Sequence, residues 1–72
     1  MKRRFNKIVK QLGGTIVDYK SSVSDCMYME YEIQVNFNGL IIYFNDSYPK
    51  GASETQKSNF LEIFKNEIKR FI

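Results

Sequence analysis

The chain has 72 residues and a net charge of +3, and 43% of its residues are hydrophobic. This composition favours one small folded domain, residues 1–72, over a disordered chain. The chain has no histidine and a single cysteine, Cys26, which excludes an internal disulfide and a structural zinc site made of cysteine and histidine.

The first predicted element is an amphipathic helix. Its apolar residues have the spacing i, i+3, i+4, i+7, and they are Phe5, Ile8, Val9 and Leu12. Gly13 and Gly14 are expected to end it, because glycine accepts the left-handed conformation at a helix C-terminus. The opposite side carries the basic stripe, which we define as Arg3, Lys7 and Lys10. Two further basic residues flank this stripe, Lys2 and Arg4.

A short strand is predicted next, over residues 15–20. Its weak alternation places Val17 and Tyr19 on the inner face. The composition of residues 21–25, SSVSD, is typical of a loop. Cys26 is expected to be a buried small apolar residue, and a lone thiol fits a reducing compartment.

The strongest pattern covers residues 27–37, where apolar and polar residues alternate. Alternation over this length predicts a long, half-buried strand. The apolar positions, expected to face inward, are Met27, Met29, Tyr31, Ile33, Val35 and Phe37. Asn38-Gly39 then predicts a two-residue turn of type I′. This turn would pair three apolar couples on one face: Phe37 with Leu40, Val35 with Ile42 and Ile33 with Phe44.

The last part of the chain is predicted as a loop, residues 45–52, and a C-terminal helix. Ser53 can cap this helix, with Gln56 closing a capping box. The helix is expected to run to the C-terminus, with an apolar stripe of Phe60, Leu61, Phe64, Ile68, Phe71 and Ile72. The predicted fold is therefore α+β, α-β-β-β-α, with a three-stranded antiparallel meander and both helices packed on one face.

This order of elements resembles the double-stranded-RNA-binding domain, which grips phosphates with lysines at the start of its second helix. The corresponding segment here, KGASETQK, has lysine only at positions 50 and 57, so that grip is not expected. The segment KIVKQLGGTIVDYKSS is similar to the opening of HicA-type toxins, which cleave RNA. Their catalysis depends on a histidine, so the resemblance does not imply that activity for this chain.

The uncovered side of the predicted sheet is the open face. Asn36 with Ile41 and Gln34 with Tyr43 would pair on it. Its candidate partner-binding residues are Tyr28, Glu30, Glu32, Gln34, Ile41 and Tyr43. The third strand, GLIIYFN, has no lysine, no proline and no bulge signal, so its edge is expected to pair with another chain, including a second copy, unless residues 45–52 cover it.

No catalytic motif and no cofactor or metal site is predicted, and histidine, the commonest general base, is absent. The favoured function is a non-enzymatic protein-binding or inhibitor module of the kind that phages and mobile elements encode against host machinery, as anti-CRISPR proteins are. Its partner would be another protein, such as a basic or nucleic-acid-handling one. The alternative is a nucleic-acid-binding module that uses Lys2, Arg3, Arg4, Lys7 and Lys10. A cytoplasmic location without membrane contact is expected.

Overall fold

The computed structural model describes residues 1–72 and has the predicted order of elements. Two helices flank three strands, which are α1 (Lys2–Gln11), β1 (Thr15–Ser24), β2 (Tyr28–Phe37), β3 (Leu40–Pro49) and α2 (Glu54–Lys69). The strands form one antiparallel sheet in the order β1-β2-β3, so β2 is central and the other two strands are edges. The α-β-β-β-α prediction is confirmed.

The hairpin of β2 and β3 has the predicted turn and register. Asn38 and Gly39 have φ values of 53° and 92°, as a type I′ turn requires. Phe37 pairs with Leu40, and the match continues through Val35 with Ile42 and Ile33 with Phe44. The turn is further fixed by the Asn36 side chain, whose Oδ1 accepts a hydrogen bond of 2.7 Å from the Gly39 N–H.

The core lies between the sheet and the two helices. Phe5 and Val9 of α1 are buried there, together with Phe64 and Ile68 of α2. The strands contribute residues that alternate along the chain: Tyr31, Ile33, Val35, Phe37, Ile42, Phe44 and Tyr48. Because both helices cover this side, the other side of the sheet stays open.

Both predicted helix boundaries rest on local interactions that the structure contains. Gly13 has a φ of +91°, which suits the residue that ends α1. Ser53 accepts a hydrogen bond from the Gln56 N–H and Gln56 returns one to the Ser53 N–H, so the capping box is confirmed. The prediction that α2 runs to the C-terminus is wrong, because the helix ends at Lys69 and the last two residues, Phe71 and Ile72, are exposed.

The inward placement of Val17 is also wrong. β1 has a bulge between Ile16, which pairs with Val35, and Asp18, which pairs with Gln34. Val17 is the extra residue, and 56% of it is exposed. The bulge shifts the alternation by one position, so that Ile16 and Tyr19 pack against the core.

Two segments predicted as loops belong to strands. Residues 21–24 extend β1, and the chain turns at Asp25 and Cys26, which have φ values of 54° and 57°. Cys26 is exposed in this turn, so its predicted burial is wrong, as is the inward position of Met27, 68% exposed beside it. Residues 45–49 extend β3. Both extensions pair with β2, whose ten residues are long enough to hold them in the sheet.

Gly14 lies so close to the Phe37 ring that a side chain at this position would displace the ring. A Cβ atom at this position would lie 2.5–2.8 Å from three carbon atoms of the Phe37 ring. We therefore expect Gly14→Ala to lower the free energy of unfolding by about 1–3 kcal/mol, because the buried ring must shift. Urea unfolding measures this cost. Gly51→Ala is the matched control, since nothing lies within 4 Å of its Cβ position. Equal costs for the two variants would show that Phe37 does not constrain Gly14.

Candidate protein-binding surface

The structure places the six candidate partner-binding residues together on the open face. Tyr31, Ile33 and Val35 point into the core, so the alternate residues of β2 point the other way. These alternate residues include Tyr28, Glu30, Glu32 and Gln34. The predicted cross-strand pairs bring β3 onto the same face, because Tyr43 pairs with Gln34 and Ile41 pairs with Asn36.

The open face has an apolar end and an acidic middle. Near the hairpin turn, 56% of Tyr43 and 50% of Ile41 is exposed. Glu30 and Glu32 lie further along β2 and are half-buried, and Tyr28, 47% exposed, lies at the far end of the strand. Exposed aromatic area beside carboxylates suits contact with a protein surface that carries apolar and basic groups.

Residues of β1, which were not among the predicted binding residues, complete the open face. Lys20 pairs with Glu32 across the sheet, so a basic residue stands opposite one of the two acids. Glu30 stands between Ser22 on β1 and Ser47 on β3 and has no charged residue opposite it. Glu30 is therefore the carboxylate of the pair that is free to meet a basic group of a partner.

A signal for this arrangement was present in the sequence. Ile16 and Tyr19 are three residues apart, a spacing that a regular strand cannot place on one face. One inserted residue, Val17, lets both face the core, and Lys20, the neighbour of the inward-facing Tyr19, lies on the open face.

The edge of β3 is uncovered along the sheet. The alternative that residues 45–52 fold over it is wrong, because residues 45–49 continue the strand. The apolar end of β3, residues 40–44, contains no charge, no proline and no bulge. Charges, prolines and bulges are the features that commonly prevent an edge strand from pairing with another chain, and this part of β3 has none of them.

The basic residues of α1 divide into two groups. Arg4 forms an ion pair with Glu54 at the start of α2, with 2.9 Å between Nη2 and Oε2, and Lys57 lies 4.0 Å from the same carboxylate. The hydrogen bond from Arg4 lowers the pKa of Glu54. Lys2 lies over the ring of Tyr19, 5.7 Å from its centroid.

The basic stripe of Arg3, Lys7 and Lys10 is exposed and has no ion-pair partner in the chain. It forms one polar surface together with Asn6 and Gln11. Arg4 and Lys57 are engaged with Glu54, so the start of α2 does not present a free lysine cluster to a phosphate backbone.

The tyrosines of the core have a structural role. Tyr31 is 3% exposed and stacks on Tyr48, with ring centroids 5.7 Å apart and planes inclined by 9°. Burial raises the pKa of Tyr31, and the nearby Tyr48 hydroxyl, 3.5 Å away, raises it further. Burial likewise raises the pKa of Tyr19. Neither hydroxyl lies on the open face, so we do not count them among the binding residues.

The structure contains no group of three histidine, cysteine, aspartate or glutamate side chains placed to hold a metal ion. None of its helices has the length and apolar character needed to cross a membrane. The chain matches no protein-family model, no curated protein and no solved structure.

Proposed function

We propose that this chain is a non-enzymatic protein-binding module that acts as an inhibitor by covering a basic surface of its partner with the open face. The observation that supports this most is that Tyr43 and Ile41, both about half exposed, lie on the same face of the sheet as the unopposed carboxylate of Glu30. Tyrosine offers a large contact area and a polar tip, and it is common among the residues that dominate interface energies.

The charge of the open face indicates what kind of protein would bind. Glu30 and Glu32 repel phosphate groups, so nucleic acid is a poor ligand for this side of the sheet. Proteins that handle nucleic acid carry basic surfaces, which an acidic face complements. We therefore place a basic, nucleic-acid-handling protein first among the partners.

Truncation of Tyr43 tests this proposal. Partners are captured from cell extract with the tagged chain, and the affinity of each purified partner is then measured for wild type and variants. Tyr43→Ala should weaken binding by about 30-fold, or ~2 kcal/mol, as expected for a hot-spot residue. The free energy of unfolding should fall by less than about 1 kcal/mol, because the side chain is mostly exposed.

Ile63→Ala is the matched control for Tyr43→Ala. Ile63 is exposed to a similar extent, 49%, but lies on α2 and not on the sheet. It should bind the partner as wild type does. A captured protein that binds Tyr43→Ala and wild type equally well would contradict the proposal, even if capture itself succeeds.

A second candidate function is nucleic-acid binding through the basic stripe. The observation in its favour is that Arg3, Lys7 and Lys10 are exposed and unpaired along one side of α1. Binding of this kind would depend steeply on salt concentration, because phosphate contacts release counterions. Retention of DNA or RNA by wild type, lost when these three residues are changed to glutamate and kept by Tyr43→Ala, would establish this function in place of the first.

A further inference from the structure

The peptide groups of β3 that point away from β2 can be identified from the register. The Lys50 N–H donates a hydrogen bond of 2.8 Å to the Met27 carbonyl, so Lys50 faces β2. Hydrogen-bonded residues alternate along an antiparallel strand, and the two residues that flank a two-residue turn are a hydrogen-bonded pair. Counting from both ends gives the same result, namely that residues 41, 43, 45, 47 and 49 turn their peptide groups toward solvent.

One half of this edge is already closed within the chain. Pro49 has no N–H group to offer, and the Ser47 N–H donates to the Asp46 carboxylate at 2.8 Å. Asp46 also adds a charge, which discourages another strand from pairing there. The half nearer the turn has none of these devices, and the outward peptide groups of Ile41 and Tyr43 are free to pair.

We propose that the apolar half of the β3 edge pairs antiparallel with the same half of a second copy, about a two-fold axis at Ile42. Ile41 then lies opposite Tyr43 of the second copy, and the two symmetry-related pairs of this kind exchange about four backbone hydrogen bonds. Leu40 lies opposite Phe44, and Ile42 lies opposite its own counterpart. Every opposed pair in this register is apolar, and the two sheets become one sheet of six strands.

Both neighbouring registers are less favourable, which fixes the position of the axis. An axis at Ile41 would place Tyr43 opposite Gly39, a turn residue with a φ of 92° whose backbone is not extended. An axis at Tyr43 would place Leu40 opposite Asp46 and would bring a charged carboxylate against an apolar side chain. With the axis at Ile42, Asp46 falls opposite the turn at Asn38 and remains in water. Leu40 is 46% exposed in the single chain. With the axis at Ile42 it lies opposite the apolar Phe44 of the second copy, whereas with the axis at Tyr43 it would lie opposite Asp46.

Charge does not prevent a second copy from pairing at this edge. The residues of β2 beside Ile41 and Tyr43 are Asn36 and Gln34, which are uncharged. α1 packs against β1 and α2 against β3, so the basic stripe of each copy lies on the side of the sheet away from the new contact. The net charge of +3 on each copy therefore opposes association only weakly at physiological salt.

The contact is small, so the dimer should be weak and its population should depend on concentration. Sedimentation equilibrium over a range of concentrations tests for it. Ile41→Pro should weaken association by about 30-fold, because each copy loses one outward N–H while its bonds to β2 remain intact. Ile41→Val is the matched control, since it keeps the N–H and a branched apolar side chain, and it should associate as wild type does.

Amide hydrogen exchange on wild type gives a second measurement that does not depend on any variant folding. We expect the amides of Ile41 and Tyr43 to become protected as concentration rises. A chain that stays monomeric up to its solubility limit, or a folded Ile41→Pro that associates as wild type does, would overturn the dimer. Protection that appears only when a different protein is added would also overturn it, and would assign the edge to that protein. Ile41 and Tyr43 belong to both surfaces, so Glu30, which lies on the central strand away from the edge, distinguishes the two proposals. Glu30→Lys should weaken partner binding and leave the dimer in place.

Discussion

Phe64→Ala should lower the free energy of unfolding by about 3–5 kcal/mol, the range for loss of a fully buried aromatic side chain. Phe64 is completely buried and joins α2 to both the sheet and α1. Its ring centroid lies 4.8 Å from that of Phe5 on α1 and 5.0 Å from that of Phe44 on β3, both in edge-to-face geometry. The substitution therefore removes contacts among three elements at once.

The size of the domain makes this loss severe. A chain of 72 residues buries a smaller fraction of its surface on folding than a larger domain does, and its total stability lies toward the lower end of the ~5–15 kcal/mol range of natural domains. Thermal and urea unfolding followed by circular dichroism should show a chain that is largely unfolded or close to its unfolding midpoint at 25 °C. The adjacent residue provides the control, because Ile63→Ala on the exposed side of α2 should cost less than about 1 kcal/mol. Similar losses at the two positions would mean that the core does not centre on Phe64.

The hairpin could be predicted from sequence because two independent signals agreed. Asn38-Gly39 demanded a type I′ turn, and that turn paired three apolar couples on one face. A shift by one residue would have sent half of these side chains to the opposite face, so only one register was consistent. The same register placed the six candidate binding residues on the open face, which is why their grouping could be predicted as well.

The ends of the strands could not be predicted because their stability comes from pairing. Residues 21–24 and 45–49 are mostly polar, and their local composition is that of loops. Each pairs with the long alternating strand β2. The second segment also gains an apolar contact, because Tyr48 stacks on Tyr31. Strand propensity describes a residue alone and does not include a neighbouring strand.

The pairing of β1 beyond the bulge at Val17 decides which acid has a basic residue opposite it. The bulge places Ile16 instead of Val17 on the helix side, Tyr19 keeps its predicted inward position, and Lys20 lies on the open face opposite Glu32. The face expected to carry two equivalent acids instead has one that stands opposite a lysine and one that does not. This asymmetry makes Glu30 the sharper position for testing the proposed function.

Glu30→Lys should weaken partner binding by about 100-fold, because it places a positive charge against the basic surface of the proposed partner. The fold should be unaffected, since Glu30 pairs with Ser22 and Ser47 and takes part in no ion pair. Glu32→Lys is a poorer test, because the new lysine would face Lys20 and destabilise the sheet. Binding is measured with the purified partner at two salt concentrations, and the difference between wild type and variant should shrink as salt rises.

The change in net charge needs its own control. Glu30→Lys raises the net charge from +3 to +5, because one negative charge is replaced by one positive charge. Glu62→Lys makes the same change at an exposed position of α2, and it should bind the partner nearly as wild type does. Equal losses of affinity in the two variants would show that overall charge governs binding and would contradict binding through the open face. Added positive charge strengthens contact with phosphates. If both variants bind DNA or RNA more strongly and neither changes the binding of any protein, the working surface is the basic stripe of Arg3, Lys7 and Lys10.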